Sequence, residues 1–315
     1  MSDDAAAVIA DGIEKKFDAT VALAGVSFDV RRSELFGFIG PDGAGKTTLF
    51  RILSTLMIPD RGSARVLGRD VVRDLWALRR RVGYMPGRFS LYPDLSVDEN
   101  LRFFAAVFGT TVEREYEQIA PIYTQLEPFK TRRAGALSGG MKQKLALCCA
   151  LVHRPEVLFL DEPTTGVDAV SRREFWELLG RLKAGGLTVV VSTPYMDEAD
   201  RCDRVALIQR GRLLALDTPD AIARSFDRPL FAVQTDRRYP SLLALRKLPT
   251  AHQVYPFGES LHYTDARQDA PPDQIQREVA EFLQHEGFGD VKVDVTAPTV
   301  EDTFMARMGA PEEAA

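Results

Sequence analysis

A glycine-rich loop near the start of this chain constrains its fold more than any other feature. It follows an apolar run at 35–39 and precedes a helical pattern at 47–55, and it reads Gly40-Pro41-Asp42-Gly43-Ala44-Gly45-Lys46-Thr47-Thr48. This is the G-x-x-x-x-G-K-[ST] spacing of a loop that binds phosphate groups. A strand, loop and helix in this order predict the opening of an α/β domain with a parallel sheet.

The residue types of the loop suit a nucleotide with several phosphates. Gly43 and Gly45 let the backbone curl so that successive N–H groups point at phosphate oxygens, and the positive end of the next helix adds to that field. We expect Lys46 to reach the β- and γ-phosphates and the Thr47 hydroxyl to ligate Mg²⁺. The predicted nucleotide contacts are Gly40, Asp42, Gly43, Ala44, Gly45, Lys46, Thr47 and Thr48.

A second segment narrows the chemistry, because it ends an apolar run with two carboxylates. Residues 157–160 are Val-Leu-Phe-Leu, and Asp161 and Glu162 follow them. A buried strand would deliver Asp161 to the Mg²⁺ ion and Glu162 to the attacking water as general base. We therefore predict Glu162 and Lys46 as the catalytic residues, with Thr47 and Asp161 as the metal ligands. The alternative is a strand that ends in solvated acids.

A third segment, 137–143, has the sequence LSGGMKQ. Ser138, Gly139 and Gly140 precede a predicted helix, so their backbone N–H groups can also face an anion. A Ser-Gly-Gly triplet alone is a weak signal, but here it lies shortly before the acidic strand.

Taken together, these motifs resemble the ATP-binding subunits of ABC transporters, over about residues 8–218. The resemblance implies ATP as the nucleotide and a second ATP-binding subunit that faces this one. Ser138, Gly139 and Gly140 would contact the γ-phosphate of ATP held by that partner, and Asp168 would lie in a loop that crosses the interface. Phe17 falls where the family stacks an aromatic ring on adenine, although an aromatic residue at such a position is otherwise most often core. Stretches at 92–104, 195–204 and 297–304 resemble the ABC-2 exporters.

Two positions depart from the family pattern. Where the family has a glutamine that helps bind Mg²⁺ and water, this chain has Gly87, and where it has a histidine that contacts the γ-phosphate, this chain has Pro194. Glycine has no side chain and proline has no N–H donor. We expect the site built on Lys46 to bind Mg-ATP and to hydrolyse it slowly. The pattern favours pairing with a different, complete subunit, and a homodimer stays open.

Composition limits the partners. No run of 18 apolar residues occurs, so a membrane role requires a separate integral membrane permease. The net charge of −5 argues against a nucleic-acid partner. Three cysteines without a Cys-x-x-Cys spacing, and acidic residues at the N-terminus, favour the cytoplasm. We predict a cytoplasmic location, with peripheral attachment to the inner face of the membrane through the permease.

The predicted fold class is an α/β ABC ATPase domain with a helical subdomain, followed by a small α+β domain. The first domain spans 1–224, with the helical subdomain at about 86–152, and the second spans 229–311. Strand and helix patterns in the second domain follow the order βαββαβ, which is the ferredoxin-like plan. The first domain is predicted to contain strands at 20–30, 35–39, 157–160, 187–191 and 204–209, and helices at 47–55, 97–108, 113–127, 171–184 and 219–225. The second is predicted to contain strands at 230–235, 251–257, 260–264 and 290–295, and helices at 240–248, 273–287 and 299–308.

Three functions remain possible from the sequence. The first is an ATP-driven subunit of an exporter. The second is a soluble ABC-type ATPase that acts on ribosomes or in DNA repair, although such chains usually carry two phosphate loops and this one has a single loop and a single LSGG segment. The third is a regulatory module that binds ATP and hardly turns it over, which the Gly87 and Pro194 departures keep open.

Overall fold

A computed structural model describes residues 6–88 and 90–308 of the chain. It divides into two compact units between Pro219 and Asp220. Residues 1–5 and 89 of the first predicted domain and 309–311 of the second lie outside the described residues.

The first unit contains two sheets and a helical insert. Its strands are β1 (Ala6–Phe17), β2 (Thr20–Arg31), β3 (Leu35–Ile39), β4 (Arg61–Val66), β5 (Arg69–Asp70), β6 (Val82–Met85), β7 (Val157–Asp161), β8 (Thr188–Thr193), β9 (Arg204–Gln209) and β10 (Arg212–Asp217). Its helices are α1 (Lys46–Leu53), α2 (Leu75–Arg79), α3 (Val97–Val107), α4 (Tyr116–Tyr123), α5 (Gly139–Leu151) and α6 (Ala169–Ala184).

The six-stranded sheet of this unit has the order β10-β9-β3-β8-β7-β6. All its neighbours pair in parallel except β10, which pairs antiparallel with β9 at the edge. Every residue of β3, β7 and β8 is buried, which is typical of parallel strands covered on both faces. Because parallel strands end at the same edge, the residues after Ile39, Asp161 and Thr193 meet there.

The second sheet of the unit is antiparallel, in the order β2-β1-β4-β5. Between it and the parallel sheet lies one hydrophobic core, in which Phe28, Phe36, Phe38, Phe50 and Phe159 form a chain of ring contacts. This core fixes α1, and with it the loop that precedes α1.

The helical insert lies between Met85 and Val157 and contains α3, α4 and α5, as predicted. Ser96 and Glu99 form a reciprocal capping box at the start of α3. The predicted helix at 113–127 is wrong in extent, because α4 covers only Tyr116–Tyr123 and a 3₁₀ turn with Pro128 as its second residue follows at Glu127–Phe129. The predicted helix at 47–55 likewise ends at Leu53, since Thr55 adopts a left-handed φ of 64°.

The second unit confirms the ferredoxin-like plan. Its strands are β11 (Leu230–Gln234), β12 (Ala251–Phe257), β13 (Ser260–Asp265) and β14 (Lys292–Thr296), and its helices are α7 (Pro219–Arg224), α8 (Arg238–Leu245), α9 (Pro272–His285) and α10 (Val300–Met308). The sheet is antiparallel with the order β12-β13-β11-β14. The last strand starts two residues later than predicted, because Asp290 has a φ of 48° that an extended strand does not allow.

The predicted boundary after residue 224 is also corrected by the structure. The end of α7 packs with α10: the Thr303 hydroxyl donates to the Ile222 carbonyl at 3.1 Å, and the Arg307 guanidinium donates to Ser225 Oγ at 3.0 Å. All of α7 after Pro219 therefore lies in the second unit.

A fully buried carboxylate, Asp302, holds α10. It accepts hydrogen bonds from the Tyr255 hydroxyl at 2.8 Å and from the Thr299 backbone N–H at 2.7 Å, and it pairs with His262 Nδ1 at 2.5 Å. Burial alone would raise the pKa of Asp302, but the hydrogen bonds from His262, Thr299 and Tyr255 outweigh it and the pKa is lowered. The carboxylate is thus ionised where it fastens the helix.

Candidate nucleotide site

The glycine-rich loop adopts a shape that only glycine permits at two points. Gly43 and Gly45 have φ angles of 78° and 104°. A Cβ added to Gly45 would lie 2.3 Å from the carbonyl oxygen of Ala22, and one added to Gly40 would lie 2.0 Å from that of Ile208. The loop is therefore curled against β2 and β9, with its backbone amides available on the concave side.

Lys46 opens α1 and turns back into this loop. Its side chain is 2% exposed, and Nζ lies 2.7 Å from the Gly40 carbonyl oxygen and 2.9 Å from that of Pro41. Nζ also pairs with Glu162 Oε1 at 3.1 Å. The structure thus brings together the two residues that the sequence predicts as catalytic.

The ends of β7 and β8 hold the acidic pair. Ser192 Oγ donates to Asp161 Oδ1 at 2.6 Å, and the Glu162 N–H lies 3.0 Å from both the Ser192 carbonyl oxygen and Oγ. Glu162 has a left-handed φ of 51°, a sparsely populated conformation for a residue with a side chain. Asp161 also affects Tyr84 on β6: burial raises the pKa of that phenol, and the Asp161 charge raises it further.

Gly87 lies beside these carboxylates. A Cβ at this position would be 2.9 Å from the Asp161 carbonyl oxygen and 3.6 Å from Glu162 Cβ. Any side chain here would require the backbone to shift. The local packing around Asp161 therefore leaves room for glycine at position 87 and for no larger residue.

The LSGG segment and the Asp168 loop contact each other. Ser138 caps α5 through the Met141 N–H, and a Cβ on Gly140 would lie 2.7 Å from Ser171 Oγ. Asp168 caps α6 by accepting from the Ser171 N–H at 2.9 Å, and this backbone hydrogen bond lowers the pKa of Asp168. Within one chain, these residues form a group on α5 and α6, whereas Lys46, Asp161 and Glu162 form another around the phosphate loop.

Phe17 ends β1 and is 44% exposed, so the structure excludes the alternative that it is a core residue. The Lys15 ammonium lies 5.7 Å from the centre of its ring. An exposed aromatic face of this kind is available for stacking.

The residues present fit a nucleotide with several phosphates. The concave loop, the buried ammonium of Lys46 and the start of an eight-residue helix all favour negative charge. Thr47 and Thr48 are half-buried on the first turn of α1, and Asp42 and Gly43 are exposed. Over 6–88 and 90–308, no group of three or more His, Cys, Asp or Glu side chains is placed to hold a metal ion. Thr47 and Asp161 could hold Mg²⁺ only if phosphate oxygens of the nucleotide supply further ligands to the ion.

Sequence reasoning missed several supporting side chains. Ser192 and Thr164 belong to none of the motifs that the sequence analysis singles out. Glu198, 3% exposed, lies in the stretch at 195–204 that resembles the ABC-2 exporters, and no chemistry is predicted for it from the sequence. The available signal was two hydroxyl residues at the end of β8, Ser192 and Thr193, and one, Thr164, three residues after the end of β7.

The fold and the phosphate loop define the P-loop class of nucleotide-binding proteins. Residues 23–165 match the family model described as ABC transporter. The chain is 38% identical over 310 residues, 96% of its length, to a probable multidrug ABC transporter ATP-binding protein, YbhF, of Escherichia coli, of which it spans 52%. It is 34% identical to the daunorubicin resistance ATP-binding protein DrrA3 of Streptomyces coeruleorubidus, over 96% of both chains.

A solved ATP-binding subunit of an ABC transporter also superposes on the chain, with a TM-score of 0.63 and 30% identity, covering 70% of this chain and 92% of that one. The chain belongs to the family of ABC transporter ATP-binding proteins, which are ABC-type ATPases. It spans about half the length of the YbhF protein that it matches. None of the helices in the described ranges has the length and apolar character to traverse a bilayer.

Proposed function

We propose that this chain is the ATP-binding subunit of an ABC-2-type exporter and drives transport through a separate membrane permease. It works on the cytoplasmic side of the membrane, attached through that permease. The names of its relatives, multidrug transport and daunorubicin resistance, support export, and the second relative matches along almost the whole of both chains. A soluble ABC ATPase or a regulatory module is less well supported, because neither accounts for this similarity.

The observation that best supports a permease partner is an apolar groove at the edge of the helical insert. It has a volume of about 520 Å³, and aromatic and aliphatic side chains such as Trp76, Phe104 and Phe108 line it. Trp76 is 74% exposed, and Val107 is 62% exposed. A rim of exposed large apolar groups around a groove marks an interaction site. Its apolar lining suits the apolar face of an amphipathic helix, and we assign a cytoplasmic helix of the permease as its occupant.

The groove is continuous with the nucleotide site through a short stretch of backbone. Met85 and Pro86 line the groove, and the next residue, Gly87, lies against Asp161. A helix seated in the groove would therefore move with the loop beside the catalytic carboxylates. This continuity supports the use of ATP binding to move the membrane partner.

Co-expression tests the groove directly. The chain and the polytopic membrane protein encoded beside it are produced together, and the membrane-bound fraction of the chain is measured. The double variant Trp76→Ser, Val107→Ser is expected to lose at least about tenfold in membrane association, with ATP affinity unchanged. Val295→Ser, which removes a 54% exposed valine of the second unit, is the matched control. Equal association of the groove variant and wild type would refute the assignment.

In the assembled transporter, two ATP-binding subunits face each other. Lys46 and the loop amides bind the phosphates of ATP, and Phe17 stacks on the base. Thr47 and Asp161 would hold the Mg²⁺ that accompanies the phosphates, and the ion would neutralise the charge that develops on them. Ser138, Gly139 and Gly140 of the opposing subunit complete the site. Glu162 is the base that accepts a proton from the attacking water. The phosphates of ATP compete with Glu162 for Lys46 Nζ, so ATP binding is expected to break the Lys46–Glu162 ion pair.

We infer that this site hydrolyses ATP slowly, since neither Gly87 nor Pro194 offers a side-chain donor. Removing one transition-state donor typically costs about 10²–10³ in rate. Pro194→His is therefore expected to raise kcat at least about tenfold, whereas Gly87→Gln is not, because its Cβ would meet the Asp161 carbonyl at 2.9 Å. Pro272→His, at an exposed proline of the second unit, is the control. A wild-type kcat within the ordinary enzyme range, about 1–10³ s⁻¹, would contradict the inference.

The role of a slow site depends on whether the partner ATP-binding subunit is a different chain or a second copy of this one. If the partner is a different subunit with complete motifs, the Ser138 segment of this chain completes the productive site of the pair. If the partner is a second copy, both sites rely on Glu162 alone. Mass measurement of the intact complex distinguishes the two, because a homodimer contains no second ATP-binding chain.

A further inference from the structure

A buried carboxylate outside the predicted motifs joins the parts of the nucleotide site. Glu198 lies in the 3₁₀ helix Met196–Arg201 that follows β8, and it is 3% exposed. Its Oε1 accepts a hydrogen bond from the Thr164 hydroxyl at 2.9 Å, and its Oε2 accepts one from the Thr193 hydroxyl. The side chain therefore joins the segment that follows β7 to the end of β8.

The two threonines belong to the segments that bear the chemistry. Thr164 lies two residues after Glu162, and the Thr193 carbonyl oxygen accepts from the N–H of Gly40, the first residue of the phosphate loop, at 3.2 Å. Two side-chain links therefore connect the β7 and β8 segments. The first is the hydrogen bond from Ser192 to Asp161, and the second is the pair of hydrogen bonds to Glu198. The bridge thus fixes the base and the loop relative to each other.

Glu198 also contacts α6, the helix that Asp168 caps. Its Oε1 lies 3.8 Å from Arg172 Nε, and the Arg172 guanidinium donates to Asp197 at 3.0 Å and lies 4.8 Å from the ring centre of Tyr195. The residue before Arg172 is Ser171, against which Gly140 of the LSGG segment packs. A continuous set of contacts therefore leads from the phosphate loop to the segment that completes the opposing site.

We propose that Glu198 is a positioning residue that links this nucleotide site to the Asp168 loop and the LSGG segment. The proposal rests on the ATPase activity of the chain. At the end of β8, the residue after Thr193 is Pro194, which offers no donor of its own, and Thr193 is joined to the segment after the acidic strand through Glu198. Loss of the bridge would misplace Glu162 without removing any group that touches the nucleotide.

The test compares three variants in the assembled complex. Glu198→Ala removes the bridge, Glu198→Gln keeps a side chain of the same shape, and Glu177→Ala removes an exposed carboxylate of α6 whose partner is Arg173. We expect Glu198→Ala to lower kcat at least about tenfold while the KM for ATP changes less than about threefold. Glu198→Gln is expected to recover kcat to within about threefold of wild type. Glu177→Ala should match wild type.

Hydrogen exchange supplies a readout that does not depend on turnover. In the presence of ADP, amides at 164–172 are expected to exchange faster in Glu198→Ala than in wild type or Glu198→Gln. If Glu198→Ala does not fold, Thr164→Val removes one arm of the bridge at nearly constant shape and should show the same loss of kcat and faster exchange.

Three results would overturn the proposal: an unchanged kcat and unchanged exchange in Glu198→Ala, a KM that rises in proportion to the loss of kcat, or a Glu198→Gln variant as impaired as Glu198→Ala. A wild-type ATPase rate below detection would bear on the inference that Gly87 and Pro194 make the site slow, and it would not bear on the role of Glu198. The exchange rates would still decide the role of Glu198.

Discussion

Replacing Glu162 by glutamine is expected to tighten nucleotide binding, which is the opposite of what loss of a site residue usually does. In the structure, Lys46 Nζ pairs with Glu162 Oε1 at 3.1 Å. Phosphates that bind to Lys46 must compete with this carboxylate. Glutamine has the same shape but no charge, so Lys46 would be available to the phosphates without that competition.

The distance sets the size of the effect. Two unit charges 3.1 Å apart attract by about 1.3 kcal/mol in bulk water and by about 5 kcal/mol at an effective dielectric constant of about 20. The Glu162 side chain is 23% exposed, so solvent screens part of the larger value. We therefore work from the lower bound and expect about tenfold tighter binding, since about 1.4 kcal/mol corresponds to a factor of ten.

Isothermal titration with ADP in the absence of Mg²⁺ measures this effect without hydrolysis. The same substitution is made in a Lys46→Met background, because direct repulsion between Glu162 and the phosphates persists there, whereas the ion pair does not. The part of the gain that disappears in that background is the contribution of the pair. An equal gain in both backgrounds, or no gain at all, would refute the reasoning. Glu177→Gln is the surface control.

Three further predictions follow from the same geometry. Gly45→Ala should lower ADP affinity at least about tenfold by titration, because a Cβ at 45 would lie 2.3 Å from a carbonyl oxygen. A Cβ at 43 meets nothing within 4 Å. Gly43→Ala should therefore lower the stability of the folded loop only by its backbone strain, about 1–2 kcal/mol. Ser192→Ala removes a buried hydrogen bond to Asp161 and should raise the Mg²⁺ concentration needed for half-maximal turnover, while Mg²⁺-free ADP affinity stays within about threefold; an unchanged Mg²⁺ dependence would contradict it. Asp302→Asn should lower the stability of α10 by about 1.5–3 kcal/mol at pH 7, measured as faster amide exchange. Because the pKa of Asp302 is lowered in the folded state, its stabilisation is present above the unfolded pKa of about 3.9 and is lost as pH falls through the folded pKa, so the difference between variant and wild type should shrink below about pH 4. A difference that persists there would refute the assignment.

Much of the fold and part of the site could be predicted from the sequence, because the signals are local. The phosphate loop binds through backbone amides of consecutive residues, so its spacing alone indicates its shape. The buried strand before Asp161 is visible as an uninterrupted apolar run, and the βαββαβ order of the second unit follows from alternating patterns. Helix ends were less predictable: the left-handed φ of Thr55 depends on how the following loop packs.

What only the tertiary structure decided are the contacts between segments distant in sequence. The Lys46–Glu162 pair joins residues more than a hundred positions apart, and Glu198 meets Thr164 across 34 positions. Side chains of this kind carry no motif, because their role depends on which strand ends the sheet order places side by side. The sequence by itself determined that this chain binds a nucleotide. The folded arrangement decided which carboxylates surround that nucleotide site and which helix they hold in place.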